Sequence, residues 1–333
     1  MNLQAIDIEE VARASELWQK IIDASEDGWV WHTWIAHKFN LEAGTEYGAC
    51  DLSFFVYDGE QAIGVVPLIV EERAGCLQAA CYPGFLPWPC FAGREGREDF
   101  EDFAFTELER RARSAGAQGI LFYLTPPRMT AKDESRARCV ALHYGYEAFS
   151  VDSHLATIDK EWRSRVRDRY RRYVKKFSPL FSVSIVEGDA VTPEFEEQYF
   201  RLHVADAGKQ VRSRESYARL ADFARKGEGF YVVATHKESC AIAGALLVML
   251  YKGVALDASV GIDPAFALHY VGHILRMRTL EELEDRGVPL YQLPLRPRAD
   301  DVSSAKERGI SHFKEGWTGG GYRTLWGIRK KLS

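Results

Sequence analysis

The densest group of chemically active side chains is a basic run between Lys160 and Lys176. It holds nine lysine and arginine residues against two acidic ones, a net charge of +7 in a chain whose total is −5. We predict a single helix over residues 161–176, with one basic stripe along it. The stripe consists of Arg165, Arg169, Arg172 and Lys176. It could bind phosphates of tRNA, of a nucleotide-sugar or of a lipid-linked diphosphate, or it could be a solvated face paired with the acidic remainder.

Two lysines near the C-terminus, Lys306 and Lys314, come shortly before a glycine-rich stretch. We predict a loop and a final strand here, with Phe313 anchored in the core. A lysine held beside such a loop can neutralise an anionic substrate or stabilise a developing oxyanion. The alternative is a lysine on an edge strand, where its charge discourages pairing with another chain.

A third candidate is Asp257, which lies within a predicted strand over residues 254–262. Its carboxylate could act as a base, or it could orient an amine. Asp263 follows the strand directly and precedes Pro264, a pair that is typical of a helix cap.

The elements that must position these residues occur twice along the chain. Two predicted hairpins contain Gly64 and Gly244, which lie 180 positions apart. Two helix–glycine–strand units contain Gly116 and Gly287, 171 positions apart. This repetition at nearly one offset favours two related α/β lobes, although unrelated α/β domains can share the same order of elements.

Composition limits the class of protein further. The chain has 333 residues, 46% of them apolar and 27% charged, which is typical of a globular protein of about two domains. Its six cysteines show no metal-site spacing, and His269 and His273 have no third ligand at a suitable spacing, so we expect no metal. We also expect a cytoplasmic protein with no membrane span and no DNA partner. P-loop, G-x-G-x-x-G, G-x-S-x-G and H-E-x-x-H motifs are missing, which argues against the enzymes that carry them.

Residues 150–325 resemble the FemAB-like branch of the GNAT superfamily, and in particular BioF2-like N-acyltransferase domains. The matching features are Gly244, the helix that ends at Gly287 with the strand after it, Lys306, and the phrase over residues 310–316. The resemblance implies an α/β fold with mixed sheets and two tandem GNAT-like lobes, which we place at residues 1–158 and 159–333. It also implies that the site lies in the second lobe, near the cleft between the two.

The resemblance implies transfer of an acyl group from an activated donor to an acceptor amine, without a covalent enzyme intermediate. Acyl-CoA or another thioester is one donor, and aminoacyl-tRNA is the alternative. Among aminoacyl-tRNA-dependent relatives a late lysine stabilises charge, and Lys314 matches that position best. Family members often act in envelope or polysaccharide metabolism, so the resemblance implies an amino sugar or amino acid derivative as the acceptor.

The other residues take supporting roles in this interpretation. Lys306 lies near Lys314, Asp257 serves as base or orienting group, and Arg212 and Tyr217 are candidates for acceptor contacts. One departure concerns the donor: the junction GIDPAFALHYVGH lacks the R/Q-x-x-G-x-G/A loop that holds the pyrophosphate of CoA in acetyl-CoA enzymes. A catalytically silent tandem lobe that only binds a ligand is the remaining alternative.

Overall fold

The chain folds into two units. The computed structural model describes residues 2–81, 84–93, 97–123, 139, 141–297 and 304–332. Unit 1 comprises Met1–Ser150 and Leu325–Ser333, and unit 2 comprises Val151–Thr324. The first boundary lies eight residues before the predicted one at residue 158. The C-terminal segment, predicted to lie in the second lobe, belongs to unit 1 because residues 327–331 pair antiparallel with residues 119–123.

The strands and helices alternate along much of the chain. The strands are β1 (Leu3–Asp7), β2 (Cys50–Asp51), β3 (Phe54–Asp58), β4 (Gln61–Val66), β5 (Ile69–Arg73), β6 (Cys76–Ala79), β7 (Leu86–Pro87), β8 (Cys90–Phe91), β9 (Gly119–Tyr123), β10 (Glu147–Thr157), β11 (Phe181–Val186), β12 (Gly229–His236), β13 (Ile242–Tyr251), β14 (Val254–Ile262), β15 (Leu290–Arg296) and β16 (Tyr322–Lys331). The helices are α1 (Ala14–Ala24), α2 (Trp34–Ala43), α3 (Arg97–Ser114), α4 (Trp162–Arg165), α5 (Asp168–Phe177), α6 (Pro193–Ala207), α7 (Arg214–Arg225), α8 (Val271–Asp285) and α9 (Ala305–Thr318).

Unit 1 contains a sheet of order β1-β3-β4-β8 and a second run of strands in the order β16-β9-β6-β5-β2, with β7 beside β9. The apolar residues of α3 pack against these strands, with Phe105, Leu108 and Ala112 fully or almost fully buried. The predicted α/β fold with mixed sheets is confirmed in this unit, since β7 and β9 are parallel whereas β3 and β4 are antiparallel.

Unit 2 has the strand order β11-β12-β13-β14-β15-β10. Within the described residues, the only parallel neighbours in this run are β14 and β15, and the helix between them, α8, packs on β12 and β13. The core consists of alternate strand residues, such as Val232 and Leu246, together with Leu275 of α8 and Trp317 of α9.

Strands β14 and β15 diverge after a short pairing. Their paired residues run only from Val254 with Leu290 to Leu256 with Gln292, although both strands continue beyond this point. From Leu293 onward β15 remains paired with β10 on its other side. A gap therefore opens between residues 257–262 of β14 and residues 293–296 of β15.

The predicted repeat is present in the structure. Gly64 of β4 pairs with Val56, Gly244 of β13 pairs with Ala234, and in both hairpins the register shifts at the next residue. A side chain at Gly244 would meet Val271 at 2.7 Å, so this position is closed to larger residues by the helix that covers the hairpin. Gly116 and Gly287 both follow a helix with positive φ, 79° and 66°, as expected for glycines that end helices.

The single helix predicted over residues 161–176 is wrong. The chain forms two helices, α4 and α5, because Val166 and Arg167 have extended backbones with ψ of 130° and 129°. Burial of Val166 and the hydrogen bond from the Arg167 amide to the Gly316 carbonyl, 2.9 Å, hold the break. Arg165 therefore lies on α4, apart from the stripe that Arg169 and Arg172 form on α5.

The loop predicted around Lys306 and Lys314 is also wrong, since both residues lie on helix α9. The Ser304 side chain accepts from the Glu307 amide, 3.2 Å, and the Glu307 carboxylate accepts from the Ser304 amide, 2.6 Å. This capping box is visible in the sequence as Ser-Ala-Lys-Glu and would have predicted the helix. The predicted strand follows the helix, as β16.

Candidate active site

A cavity of about 790 Å³ lies where β14 and β15 diverge in unit 2. The β14 side contributes residues from Asp257 to Ile262, and the β15 side contributes Pro294. The remaining walls come from three helices, with His203 on α6, Arg276 on α8 and Lys314 on α9 among the lining residues. The cavity thus brings together side chains that are far apart in sequence.

Asp257 is bound by two neighbours at the wall of this cavity. Its Oδ2 lies 2.9 Å from Nε of Arg276, and Nη2 of Arg276 donates to Oδ1 at 3.3 Å. The hydroxyl of Tyr291 donates to Oδ2 at 2.8 Å. Asp257 and Arg276 are 8% and 5% exposed, so the ion pair is shielded from solvent. Burial and the negative charge of Asp257 raise the pKa of Tyr291, which keeps its hydroxyl protonated as a donor.

Lys314 reaches the same cavity from α9. Its ammonium donates to the carbonyl of Pro294, and no ion pair to a carboxylate is present for it in the part of the chain that the structure describes. Burial lowers the pKa of Lys314, while the charge of Asp257 acts in the opposite direction. An ammonium has three donors, so the contact with Pro294 leaves capacity for a ligand.

His154 provides part of the electrostatic setting of Lys314. Its Nε2 lies 2.9 Å from the Ser311 hydroxyl of α9. Burial, followed by the positive charge of Lys314, lowers the pKa of His154 to about 4. The ring is therefore neutral near pH 7 and adds no second positive charge beside the lysine.

Arg212 enters the cavity from the segment between α6 and α7 and is 7% exposed. It donates through Nη2 to Nε2 of His203, 2.9 Å, and to the hydroxyl of Ser259, 3.0 Å. Since Nε2 of His203 accepts, its Nδ1 carries the proton and donates to the Tyr217 hydroxyl at 3.0 Å. Burial and then Arg212 lower the pKa of His203 to about 4, which is consistent with a neutral ring.

Two glycines allow the helices to approach the site. A Cβ on Gly261 would lie 2.9 Å from the His203 amide nitrogen, so this glycine lets α6 cross close to β14. A Cβ on Gly316 of α9 would overlap the ring of Tyr170 on α5. Neither glycine has a positive φ, so both positions depend on space and not on backbone strain.

The predicted site residues fall into two groups. Asp257, Arg212 and Lys314 line one cavity. Tyr217 is buried behind His203 and is not among the lining residues, and Lys306 is exposed at the first turn of α9. The structure thus separates Lys306 from Lys314, which lie two helical turns apart.

The three candidate arginines of the basic run, Arg165, Arg169 and Arg172, have different surroundings and do not line the cavity. Arg165 donates to the Thr157 carbonyl at 2.8 Å and to Asp159 at 2.6 Å. Arg169 donates to the Tyr173 hydroxyl, and no carboxylate is paired with Arg169 or Arg172 within the described ranges. Arg165 is therefore engaged in the local structure, whereas Arg169 and Arg172 of α5 remain open to an anionic ligand.

Sequence reasoning missed His203, Arg276 and Tyr291. Arg276 left a signal, because it lies between Leu275 and Met277 in a helix with many apolar positions, where a buried arginine needs a carboxylate. Asp257 in a buried strand is the matching signal. No pattern in the sequence indicates His203, since nothing in the sequence places α6 across β14.

The corresponding positions in unit 1 are apolar. Gly64 pairs with Phe91 in unit 1, and the equivalent glycine of unit 2, Gly244, pairs with Ile262. Phe91 and Ile262 are therefore equivalent positions, 171 residues apart. This offset aligns Leu86 with Asp257. The same offset aligns Phe105 with Arg276 and Ile120 with Tyr291, and all three unit 1 residues are buried. Trp88, aligned with Ser259, packs its ring 4.7 Å from that of Phe105. Unit 1 thus fills with apolar side chains the position at which unit 2 has an ionic cluster.

The start of α8 differs from a glycine-rich anion loop. Residues 264–269 form a 3-10 helix capped by Asp263, whose side chain accepts from the Ala265 amide at 2.9 Å. Tyr270 follows with φ of 54°, and its carbonyl accepts from the His273 amide at 2.8 Å. These residues lack the R/Q-x-x-G-x-G/A sequence that holds the pyrophosphate of CoA in acetyl-CoA enzymes.

Metal ligands and membrane-spanning helices are both missing from the described residues. These residues contain no cluster of three or more His, Cys, Asp or Glu side chains arranged to hold a metal ion. Among them there is also no helix with the length and apolarity required to cross a membrane.

Comparison with known proteins identifies the fold and one domain of the chain. The model of the acetyltransferase (GNAT) domain matches residues 163–316. The structure of FemX is similar over 100% of this chain and 98% of that chain, with a TM-score of 0.67 and 12% identity. No curated protein sequence gives a significant match.

Two other solved structures support the same fold. A tandem GNAT protein from the clavulanic acid biosynthesis pathway matches over 99% of this chain and 98% of its own, with a TM-score of 0.56 and 15% identity. The C-terminal domain of a putative lysylphosphatidylglycerol synthetase from Agrobacterium fabrum matches over 95% and 91%, with a TM-score of 0.60 and 13% identity. Unit 2 therefore contains an acetyltransferase (GNAT) domain over residues 163–316, and the chain has a fold similar to that of FemX and of the tandem GNAT protein.

Proposed function

We propose that the cavity of unit 2 transfers an acyl group from an activated ester or thioester to an acceptor amine. The observation that carries this proposal is the position of Lys314, an ammonium in the cavity whose hydrogen-bond partner is the neutral carbonyl of Pro294. The reaction develops negative charge on a carbonyl oxygen, and a fixed cation in a partly desolvated cavity stabilises that charge. Unit 1 has apolar residues at the equivalent positions, so the proposal assigns the chemistry to unit 2.

The reaction proceeds by direct attack. The amine nitrogen forms a bond to the carbonyl carbon, and the carbonyl oxygen becomes an oxyanion beside Lys314. When the carbonyl is restored, the bond from the carbon to the oxygen or sulfur of the donor breaks. The nitrogen loses a proton during these steps, and the leaving group gains one.

Asp257 takes the orienting role in this proposal. Its carboxylate is bound by Arg276 and Tyr291, both buried, so both of its oxygen atoms are already engaged. Arg212, which is held by His203 and Ser259, contacts the acceptor in this proposal. Tyr217 acts behind it, because its hydroxyl contacts His203 and supports the tautomer that accepts from Arg212.

An aminoacyl-tRNA donor is the second candidate. Two observations favour it: the residues before α8 lack the R/Q-x-x-G-x-G/A sequence that holds the pyrophosphate of CoA in acetyl-CoA enzymes, and Arg169 and Arg172 of α5 have no paired carboxylate in the described structure. Electrostatic contacts of this kind bind the phosphates of single-stranded RNA ends. One similar structure is named as a putative lysylphosphatidylglycerol synthetase, a name that places an aminoacyl group on the product.

Hydroxylamine tests the function without knowledge of the natural acceptor, because it captures an activated acyl group as a hydroxamate. The purified protein is incubated with hydroxylamine and, separately, with acetyl-CoA, longer acyl-CoAs and tRNA charged with a mixture of amino acids. We expect protein-dependent hydroxamate above the spontaneous rate from one donor class. Formation from charged tRNA alone would select the second candidate. No formation from any of these donors would contradict the proposed transfer and favour a silent binding module.

A further inference from the structure

His273 is the cavity residue for which neither the sequence nor the reaction described so far gives a role. It lies in the first turn of α8, lines the cavity with Asp257 and Lys314, and is 8% exposed. Its Nε2 is buried and has no hydrogen-bond partner in the part of the chain that the structure describes. A buried polar atom of this kind calls for an explanation, because it has lost its contact with water without gaining another hydrogen-bond partner.

Aromatic rings fix the orientation of this imidazole. The ring of Tyr170 lies 4.5 Å from it at an interplanar angle of 86°, and that of Phe313 lies 4.9 Å away at 81°. Trp317 and Tyr270 complete the enclosure at 5.8 Å and 5.3 Å. Nε2 is buried without an acceptor whereas Nδ1 is not among such atoms, so we assign the hydrogen of the neutral ring to Nε2, on the side of the aromatic rings. The lone pair then resides on Nδ1.

The groups packed around His273 keep it neutral. Arg169 of α5 and Arg276 of α8 are the charged groups that act on it, and Tyr170 and Tyr173 of α5 are the titratable ones on the facing helix. Burial is the largest cause of the lowered pKa of His273, and the positive charges of Arg276 and Arg169 add to it. Together they lower this pKa to about 4. The imidazole is therefore in its proton-accepting form near pH 7.

The cavity holds another candidate base, Asp257, whose carboxylate is already bound. Arg276 and Tyr291 both donate to it. His203 is neutral as well, but its two ring nitrogens are engaged by Arg212 and Tyr217. His273 differs from both, since its ring contacts are aromatic and make no strong hydrogen bond within the described residues.

We propose that His273 is the general base of the transfer, accepting the proton that the attacking amine loses. This inference rests on the proposed function. After the nitrogen bonds to the carbonyl carbon, the adduct carries a positive nitrogen and a negative oxygen. The proton moves from that nitrogen to Nδ1 of His273, the bond from the carbonyl carbon to the donor oxygen or sulfur breaks, and the leaving group takes up a proton.

His273→Gln tests this role, with His269→Gln as the matched control. His269 also contacts aromatic rings and has a buried ring nitrogen without a partner among the described residues, but it does not line the cavity. The measurement is kcat and KM for hydroxamate formation with the donor that the wild-type protein uses, across pH 4 to 8. We expect His273→Gln to lower kcat by about 10²-fold or more, with the donor KM within about twofold. His269→Gln should retain wild-type kcat.

Two further readouts separate a base from a structural residue. When the rate is expressed relative to the concentration of unprotonated hydroxylamine, it should decline for the wild type at the acid end of the range, where His273 becomes protonated, and His273→Gln should lack this decline. Imidazole added to His273→Ala should restore part of kcat, while it leaves Lys314→Ala unchanged. An active His273→Gln with a wild-type pH profile would overturn the assignment. A wild-type protein that forms no hydroxamate would instead contradict the proposed function, and the inference would fall with it.

Discussion

The guanidinium of Arg276 lies 2.9 Å from the carboxylate of Asp257, Nε to Oδ2, and both side chains are buried. The aligned positions in unit 1 carry Phe105 and Leu86. The same place in two related units is therefore filled once by an ion pair and once by apolar side chains. In unit 1 these side chains contribute to the apolar core, whereas in unit 2 they form part of a polar cavity wall.

Asp257→Asn should destabilise the protein strongly. The substitution leaves Arg276 charged and buried without its partner, which costs about 3–5 kcal/mol of unfolding free energy. The double variant Asp257→Leu/Arg276→Phe copies the pair found in unit 1 and removes both charges together. Urea denaturation should give it a higher unfolding free energy than the single variant, with hydroxamate formation abolished. Equal stability of the single variant and the wild type would contradict the buried ion pair.

Acid should destabilise the fold before the carboxylates are protonated. His154, His203 and His273 each have a pKa lowered to about 4 by burial, whereas an unfolded histidine titrates near 6.5. Between these values the unfolded chain binds protons that the native state does not, so the unfolding free energy falls as pH decreases from about 6.5 to about 4. Above a pH of about 6.5 these histidines are neutral in both states, so they do not change the unfolding free energy with pH.

Urea midpoints measured from pH 7.5 to 4.5 test this expectation. Up to three protons are taken up on unfolding from these sites, and His154→Phe should reduce the slope of stability against pH by about one proton. A midpoint that is constant from pH 7 to 5 would contradict neutral, buried histidines.

Gly316→Ala should disrupt the contact between α9 and α5. A methyl group there would overlap the ring of Tyr170, which also borders His273. A methyl group on Gly309 of the same helix would meet no atom of the described residues within 4 Å, so Gly309→Ala should stabilise the protein by about 0.5–1 kcal/mol. The midpoint of thermal unfolding should thus fall for Gly316→Ala and rise for Gly309→Ala. A shift in the same direction for both would refute the close approach.

The cations of α5 should determine the salt dependence of tRNA binding, if tRNA is the donor. Neutralising Arg169 and Arg172 to glutamine should reduce the slope of log K against log salt by roughly 1.5 to 2. Arg165→Gln is the control, because Arg165 is occupied by Asp159 and by the Thr157 carbonyl. Filter binding of tRNA across a salt series measures the slope for the double variant and for the Arg165→Gln control. An unchanged slope for the double variant would exclude α5 as a phosphate-binding surface.

The sequence predicted most of the architecture because local patterns determine it. The paired glycines, Gly64 with Gly244 and Gly116 with Gly287, mark equivalent hairpins and helix ends, and the structure confirms both pairs. The break at Val166 was not predictable in the same way. Nothing in the basic run itself stops a helix there, and the break depends on a tertiary hydrogen bond to Gly316.

Individual site residues were predictable, but their grouping was not. Asp257, Arg212 and Lys314 were identified from residue type and resemblance, and the structure brings them to one cavity. Lys306 was associated with Lys314 on the expectation of a loop, and the helix places it apart and exposed. Arg276 and His273 enter the site through the packing of α8, and periodicity alone gives no distance between elements.

The most direct test of the account is the turnover of Lys314→Met beside Lys306→Met. Both replace a lysine of α9 by an uncharged side chain of similar length, but only Lys314 lines the cavity. With the donor that the wild-type protein uses for hydroxamate formation, Lys314→Met should lose about 10²- to 10³-fold in kcat while Lys306→Met keeps wild-type kcat. Both variants should unfold at the wild-type urea midpoint to within a small shift. A folded Lys314→Met variant with wild-type kcat would contradict the central claim that this ammonium stabilises the transition state.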